Sequence, residues 1–445
     1  MVSFNSILQS CKIKGSDGRP LLGAGHIEAV CRQVGHRWRD GKLPPGETVQ
    51  CLMRQMAQGN ASCAAVRQMH GGAFSGEAYC QARQRLPLEV LEKLNHDVSE
   101  AVMKKARQRG IECDRCQWKG HDIFINDGSS FTMSDTPELV EHFGLHSNQK
   151  AGCGLPLCHL LFQTGPGGAA TRAICSPYRT GDMTDINQVQ ETLKPGDVVL
   201  GDRLFSNWGH LALLGQRGAF GLFKMHHSRK ALFGSHQDYG PSRRFVKKLG
   251  HKDQLMEYLK PAQRPAWMSL EQFDSMPGSI QVRELQVKVK INGRRKTLTL
   301  VTTLLDRQKY PADDLVELLG QRWNIELDLR HLKTTMGLDQ VRCKTVEGVK
   351  KELLAYLLVY NIVRLVMLNA AERQHVSLER ISFADALAWV RHQPESAELI
   401  NLLINPKRTG RIEPRVIKRR KKSFPYMSKP REKLRKELVR KARTP

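Results

Sequence analysis

Alternation of apolar and polar residues is the first regularity along the chain. In SIQVRELQVKVKINGRRKTLTLVTTLLD, Val287, Val289 and Ile291 fall on one side, and Leu298 and Leu300 resume the pattern after Asn292-Gly293. Asn-Gly between alternating runs predicts a β-hairpin, because both residues accept the positive φ of a two-residue turn. HDIFINDGSSF predicts a strand that carries Ile123 and Ile125 and ends in a turn at Asp127-Gly128. LCHLLFQTGPGGAATRAICSPY predicts a second hairpin around Gly165 to Gly168. PGDVVLGDRLFSNW differs: Val198 to Leu200 is an unbroken apolar run ending at Asp202, as in a strand buried on both faces.

Elsewhere the period is helical. Residues 1 to about 110 read as mostly helical. Within them, SCAAVRQMHGGAFSGEAYCQARQRLPLEVLEKL predicts two helical stretches around a Gly-rich turn. Two readings fit this segment. One is a helix-turn-helix-like DNA-reading unit with Tyr79, Gln81, Arg83 and Arg85 near the start of its second helix; the other is a plain helical hairpin with a solvated basic face. From Pro311 to about Ala371 the pattern is helical again. Pro311 and Asp313-Asp314 mark a start, QRWNIELDLRHLKTTMG stops near Gly337, and an apolar helix is expected over 349–370. Asn361 and Arg364 interrupt the apolar stretch from Leu353 to Leu368, which predicts a buried core helix and not a bilayer span. There is no internal repeat.

These elements predict an α/β fold in five regions. They are a helical N-terminal DNA-binding region over 1–110, a core in two parts over 111–224 and 301–390, a β-rich insertion over 225–300 between them, and a basic tail over 391–445. A chain of 445 residues exceeds one ordinary domain, and 40% hydrophobic with 26% charged residues describes a soluble globular protein.

Charge narrows the partner. Lys and Arg number 70 against 44 acidic residues, a formal net charge of +26. Such an excess implies a polyanion, since each neutralised phosphate releases condensed counterions. No basic amphipathic helix stands out as a membrane anchor, so double-stranded DNA is expected and a membrane is not. From Lys407 onward, 17 Lys and Arg face 3 Glu, so the tail is expected to grip DNA. The opening MVSFNSILQSCKIKGSDG lacks the apolar core of a secretory signal, and 11 scattered Cys suit a reducing cytosol. A cytoplasmic location is expected.

Phosphodiester chemistry on such a partner needs charge relief at the attacking and leaving oxygens, which two hard divalent ions held by carboxylates supply. Asp127 and Asp202 end separate strands. Glu326 lies on a helix where Arg322, Arg330 and Lys333 follow one face at helical spacing. Spacing alone leaves blander readings open: an Asp after a strand is a common turn former, and a Glu flanked by Arg is usually a surface ion pair.

The motifs carry the argument further. LGQRWNIELDLRHLK supplies Arg322, Glu326 and Lys333 at the intervals of the signature Tyr-x2-Arg-x3-Glu-x6-Lys, and WNIELDLRHLKTTMGLDQVRCKT extends the match. INDGSSFTMSDTPEL and VVLGDRLFSNW surround the two aspartates, and the tail EPRVIKRRKKSFPYMSKPREKLRKEL follows in order. Over about 60 to 440, the chain resembles the bacterial DDE transposases of the insertion-sequence-four type. One position departs: Leu319 stands where the signature has Tyr, which affects phosphate positioning.

The resemblance implies a ribonuclease H-like core, a mixed sheet with flanking helices. Asp127, Asp202 and Glu326 would then be the catalytic, metal-holding acids, and Mg²⁺ or Mn²⁺ the cofactor. Arg322, Lys333 and Arg330 would bind phosphate, joined by Arg83 and Arg85 from the N-terminal region. The implied activity is cleavage at transposon ends and strand transfer into target DNA. The implied partners are terminal inverted repeats and target DNA, with a homodimer in the synaptic complex. A catalytically inactive DNA-binding derivative and a metal-dependent nuclease are the alternatives.

Other groups add little. Cys113-x2-Cys116 lacks a second pair at zinc spacing, and Cys153, Cys158 and His159 are irregularly placed, so small buried thiols are expected and zinc is not. His226-His227 on an extended chain would point to opposite sides. Trp323 could stack on a base, but the core is its expected place. Gly165 to Gly168 is followed by no Gly-Lys-Ser/Thr, so no nucleotide cofactor is expected.

Overall fold

The computed structural model describes residues 18–108, 113, 115–145, 154–230, 232–291, 294–392, 399–406 and 429–442. Ten strands form one mixed sheet: β1 (Gln117–Trp118), β2 (His121–Thr132), β3 (Leu157–Thr164), β4 (Ala170–Pro177), β5 (Val198–Gly201), β6 (Phe220–Lys224), β7 (Arg243–Gly250), β8 (Asp253–Leu259), β9 (Ser279–Ile291) and β10 (Arg294–Thr302). Their order is β4-β3-β2-β5-β6-β10-β9-β8-β7, with β1 paired to β2 off this path. β5 runs parallel to β2 and to β6, and the remaining neighbours are antiparallel.

The parallel centre explains the apolar run. Val198, Val199, Leu200 and Gly201 are all buried, as a strand covered on both faces must be. The strands of 225–300 do not stand apart from this sheet. β10 pairs with β6 from Leu300 to Thr302 and with β9 along its whole length, so β7 to β10 continue the central sheet. Ile291 pairs with Arg294 as the hairpin reading requires, while Asn292-Gly293 itself lies outside the described residues.

The core centres on the helix Val346–Gln374, whose 29 residues exceed the 349–370 expected from pattern. It is long and apolar enough to cross a membrane, but 89% of its apolar window is buried inside the protein. The polar residues that interrupt its apolar run are satisfied. Asn361 donates to Asn95 at 3.1 Å and to the Ala170 carbonyl at 3.0 Å, and its own oxygen accepts from Ala170 N–H at 2.8 Å. Arg364 donates through Nε to the Gly167 carbonyl at 2.9 Å. The Gly165–Gly168 turn is therefore a packed corner. A Cβ on Gly167 would meet Ala106 at 2.7 Å, and the φ of 69° there already favours glycine.

Among the described residues, five helices precede the sheet, at Ala24–Gln33, Pro45–Ala57, Cys63–Met69, Gly76–Arg85 and Leu88–Ala106. Ser62 and Ser75 cap the third and fourth of them, accepting from Ala65 and Ala78 N–H, so each starts where the sequence offers a hydroxyl.

Candidate active site

β2 and β5 bring the two aspartates together. Their parallel register pairs Ile125 with Leu200. Two residues further along, Asp127 lies within β2 and Asp202 directly follows β5, side by side on adjacent parallel strands; β2 does not turn at Asp127-Gly128 as the sequence predicted but stays paired with β3 and runs on to Thr132. Gly201 precedes Asp202 for a steric reason: a Cβ there would lie 2.7 Å from the Phe205 ring. β6 continues the pattern. Gly201 pairs with Phe223, which sets Lys224 next to Asp202. Burial, and then the nearby Arg322, hold the Lys224 ammonium below the usual lysine range, while Asp202 opposes them.

The third acid arrives on a segment of changing pitch. Ala312–Gly320 is α-helical, Gln321–Trp323 is a 3₁₀ turn, Asn324–Arg330 is α-helical and His331–Thr335 is a π turn. Gly337, at φ 92°, ends it near the expected position. Ile325, Asp328 and Leu329 are buried, and Asp328 is held by Arg115 Nη1 at 2.5 Å. Glu326 keeps 47% of its side chain exposed beside the buried Arg322, whose Nη2 is 3.4 Å from Glu326 Oε1. Lys333 Nζ donates to Ser129 Oγ at 3.1 Å and to the Ser130 carbonyl at 2.6 Å, which docks the π turn on the β2 stretch that follows Asp127.

Electrostatics register the convergence. Burial raises the Asp127 carboxyl to about 6; Arg322 and the Gly128 N–H pull it down, while Glu326 and Asp182 push it up. Asp127, Glu326 and Arg322 therefore share one site, and Lys224 links Arg322 to Asp202. The donor set is entirely carboxylate oxygen, which suits hard divalent ions. The three acids are more open than a single-ion cage, since among the described residues the one trio of His, Cys, Asp and Glu whose ligating atoms all lie within 4.8 Å is elsewhere. Two ions about 3.5–4 Å apart need that wider spacing.

Several sequence expectations change. Arg83 does not face DNA: it is 8% exposed, donates to Gln55 at 2.9 Å and to Cys343 Sγ at 3.0 Å, and lies 3.6 Å from the fully buried Glu352. Tyr79 is equally buried and donates to Gln55 at 2.8 Å. Both lie on the inward face of that helix, four residues apart, which leaves Gln81 and Arg85 exposed. Arg85 lines a surface pocket with Arg37, Trp38 and Arg39. Arg330 is exposed on the Glu326 helix.

Trp323 is not core: it is 55% exposed, with Arg322 at 4.4 Å and Lys224 at 5.6 Å from its ring. It lies on the helical face it shares with Glu326, Leu327 and Arg330, all exposed, so its phase and not its apolar character decides its place. The His226 and His227 rings meet at a tilt, 4.2 Å apart, instead of diverging, because the chain turns after β6. Cys113 and Cys116 form a disulfide across a tight turn with their Cα atoms 5.5 Å apart, in place of the separate thiols expected. His159 is engaged by Asp182 at 2.6 Å and Cys158 is buried, while Cys153 lies outside the described residues. Leu319 is 3% exposed and belongs to the core.

Lys224 and Asp182 escaped the sequence reading. The lysine that closes the apolar run FGLFK was the available signal for the first. The second packs so closely that a Cβ on Gly128 would meet its Oδ1 at 2.3 Å, and nothing in its local sequence announces this.

Comparison with known proteins agrees with the geometry. The family described as transposase DDE domain matches residues 118–362, more than half of the chain. The transposase InsG for insertion sequence element IS4, from Escherichia coli (strain K12), is 25% identical over 379 residues, covering 79% of this chain and 78% of its own. The putative transposase InsZ from the same strain is 27% identical over 143 residues, 32% of this chain and 46% of its own. Among solved structures, a piggyBac transposase synaptic complex with hairpin DNA aligns over 87% of this chain and 79% of its own, at 9% identity and a TM-score of 0.40. The chain belongs to the transposase DDE-domain family and is a DNA transposase of the insertion-sequence-four type.

Proposed function

We propose that the chain performs cut-and-paste transposition, with Asp127, Asp202 and Glu326 as the metal-holding acids of a ribonuclease H-like core. The strand order β4-β3-β2-β5-β6, antiparallel for three strands and then parallel for two, supports that core. The observation that carries the reading is the meeting of carboxylates from two adjacent parallel strands with Glu326 and a surrounding set of cations.

Divalent ions of the magnesium class, Mg²⁺ or Mn²⁺, would supply Lewis-acid relief of charge on the phosphodiester. Asp127 and Asp202 would hold them from the sheet, and Glu326 would complete the set from the helix. Arg322, Lys224 and Lys333 would grip phosphates and offset charge that develops in the transition state. Leu319 offers no hydroxyl, so that grip falls on the cations alone. Trp323, exposed between two cations, suits a base stacked beside the scissile step. Hydrolysis at the transposon end frees a 3′-hydroxyl, which then attacks a phosphodiester of target DNA. Arg85 with Arg37 and Arg39, and the cationic tail, would hold the terminal inverted repeats. A homodimer would pair the two ends in the cytoplasm.

The test is Glu326→Ala. Cleavage of a transposon-end duplex is expected to vanish while binding to that duplex stays within about twofold. Loss of binding together with cleavage would assign Glu326 a structural role and overturn the reading.

A further inference from the structure

A second metal-competent cluster lies far from these carboxylates, in the N-terminal helices. Glu47 and Cys51 are four residues apart on Pro45–Ala57 and share one face. His70 ends Cys63–Met69 and opens the turn through Gly71 and Gly72, both at positive φ, that leads to Gly76–Arg85. Glu47 Oε1 is 3.1 Å from His70 Nδ1 and 3.7 Å from Cys51 Sγ, and Cys51 Sγ is 3.9 Å from His70 Nδ1 and 3.2 Å from its Nε2. Tetrahedral zinc, with bonds of about 2.0–2.3 Å, sets its ligand atoms roughly 3.3–3.6 Å apart. Each separation among Oε1, Sγ and Nδ1 is within a few tenths of an ångström of that range.

We propose that Glu47, Cys51 and His70 bind one zinc-class ion, which fastens the turn between the two short helices to the helix behind it. The ligand chemistry selects the ion: thiolate and imidazole favour zinc, and magnesium prefers an all-oxygen shell. Cys51 is fully buried and the His70 side chain is 8% exposed, so two ligands are anchored. Glu47 is 42% exposed, which leaves the fourth position open to water from its side. The need for a clamp is visible in the packing. The satellite core here holds only Cys51, Val66, Phe74 and Tyr79 as buried members, too few apolar side chains to fix a turn rich in glycine.

Arg54 sets the sign of one test. Its Nη1 lies 3.1 Å from His70 Nε2, where it donates to the imidazole nitrogen that Glu47 does not engage. An ion on Nδ1 converts Nε2 into an N–H donor and turns Arg54 away, so Arg54 competes with the metal.

Full-length protein in excess Mg²⁺, which occupies the carboxylate site, is titrated with Co²⁺ as a spectroscopic probe for zinc. One equivalent is expected to give a thiolate-to-cobalt charge-transfer band that Zn²⁺ displaces. Cys51→Ser removes the band, Cys63→Ser keeps it, and Glu47→Gln, at an exposed position that leaves folding intact, weakens binding. Arg54→Gln tightens binding by about tenfold through removal of a like charge. A band that survives Cys51→Ser, or no band in both the wild type and Arg54→Gln, overturns the proposal.

Discussion

Asp127→Asn offers the sharpest test of the site, because it is expected to stabilise the protein that it inactivates. In the metal-free fold, burial lifts the Asp127 carboxyl from 3.8 to about 6, with Glu326 and Asp182 adding to the rise. Two units correspond to roughly 3 kcal/mol of penalty on the ionised form at neutral pH. The substituted side chain carries no charge and can still accept from the Gly128 N–H, which lies 3.1 Å from Asp127 Oδ1. Its amide must also lose water, which brings the expected net gain to about 1–2 kcal/mol. The pH dependence has a definite sign. Between about 4 and 6 the folded state holds a proton that the unfolded chain releases, so wild-type stability falls as pH rises through that window. Urea unfolding in chelator at pH 7.5 should therefore place the variant midpoint above wild type, with the gap closing toward pH 4. Millimolar Mg²⁺ should restore the wild type and leave the variant unchanged, since a ligand stabilises only the form that binds it. A variant less stable than wild type in chelator at pH 7.5 would refute the view that the Asp127 carboxylate is held buried, beside other carboxylates, for a metal.

Three further outcomes follow from burial and charge. Arg83→Ala is expected to cost about 3–5 kcal/mol, read by chemical denaturation, because it leaves Glu352 buried without its nearby cation. Its effect on DNA binding should disappear once the folded fraction is taken into account. Asp328→Ala should cost a similar amount by stranding Arg115, whereas Asp328→Leu with Arg115→Met should recover stability but not the cleavage rate, which separates folding from the placing of Glu326. Truncation before Lys407 removes 17 Lys and Arg, and should weaken binding to any duplex and flatten the salt dependence; an unchanged salt slope would remove the tail from the DNA interface.

Much of the sheet was legible because its signals are local. Asn292-Gly293 specifies a turn, Ile123 and Ile125 mark a strand, and the run from Val198 to Leu200 specifies a strand covered on both faces; burial of Phe124 and Asn126 on the second face of β2 was not legible in its alternation. Pattern gives a strand's period but not its neighbour. The attachment of β10 to β6 depends on contacts distant in sequence, so pattern showed the region over 225–300 to be β-rich but not that its strands continue the central sheet. Charge misled in the opposite direction. Arg83 looked like a DNA contact because arginine is rarely buried, and partners distant in the chain, Gln55, Cys343 and Glu352, make its burial tolerable. Trp323 was assigned to the core by its apolar bulk, although its helical phase sets it beside the exposed Glu326, Leu327 and Arg330.

The backbone that carries Glu326 is central to the site. A uniform α-helix from Arg322 to Lys333 would place Arg322, Glu326, Arg330 and Lys333 in one row with similar exposure. In the structure they differ: Arg322 is buried against Glu326, Glu326 and Arg330 face solvent, and Lys333 is turned down onto Ser129 and Ser130. Pitch changes along the same stretch. The 3₁₀ turn at 321–323 overwinds the chain ahead of Glu326, and the π turn at 331–335 underwinds it behind. Both irregular turns carry a backbone cost that helix propensity does not repay, and buried neighbours hold them in place. Ile325 and Leu329 pack inward, Asp328 is locked to Arg115, and His331 stacks on Phe383 at 4.1 Å. The face of this segment turned to the core is rigid and ion-paired. Its other face can therefore present Glu326 and Trp323 to solvent at fixed positions, which a carboxylate awaiting a cation and an aromatic ring awaiting a base both require.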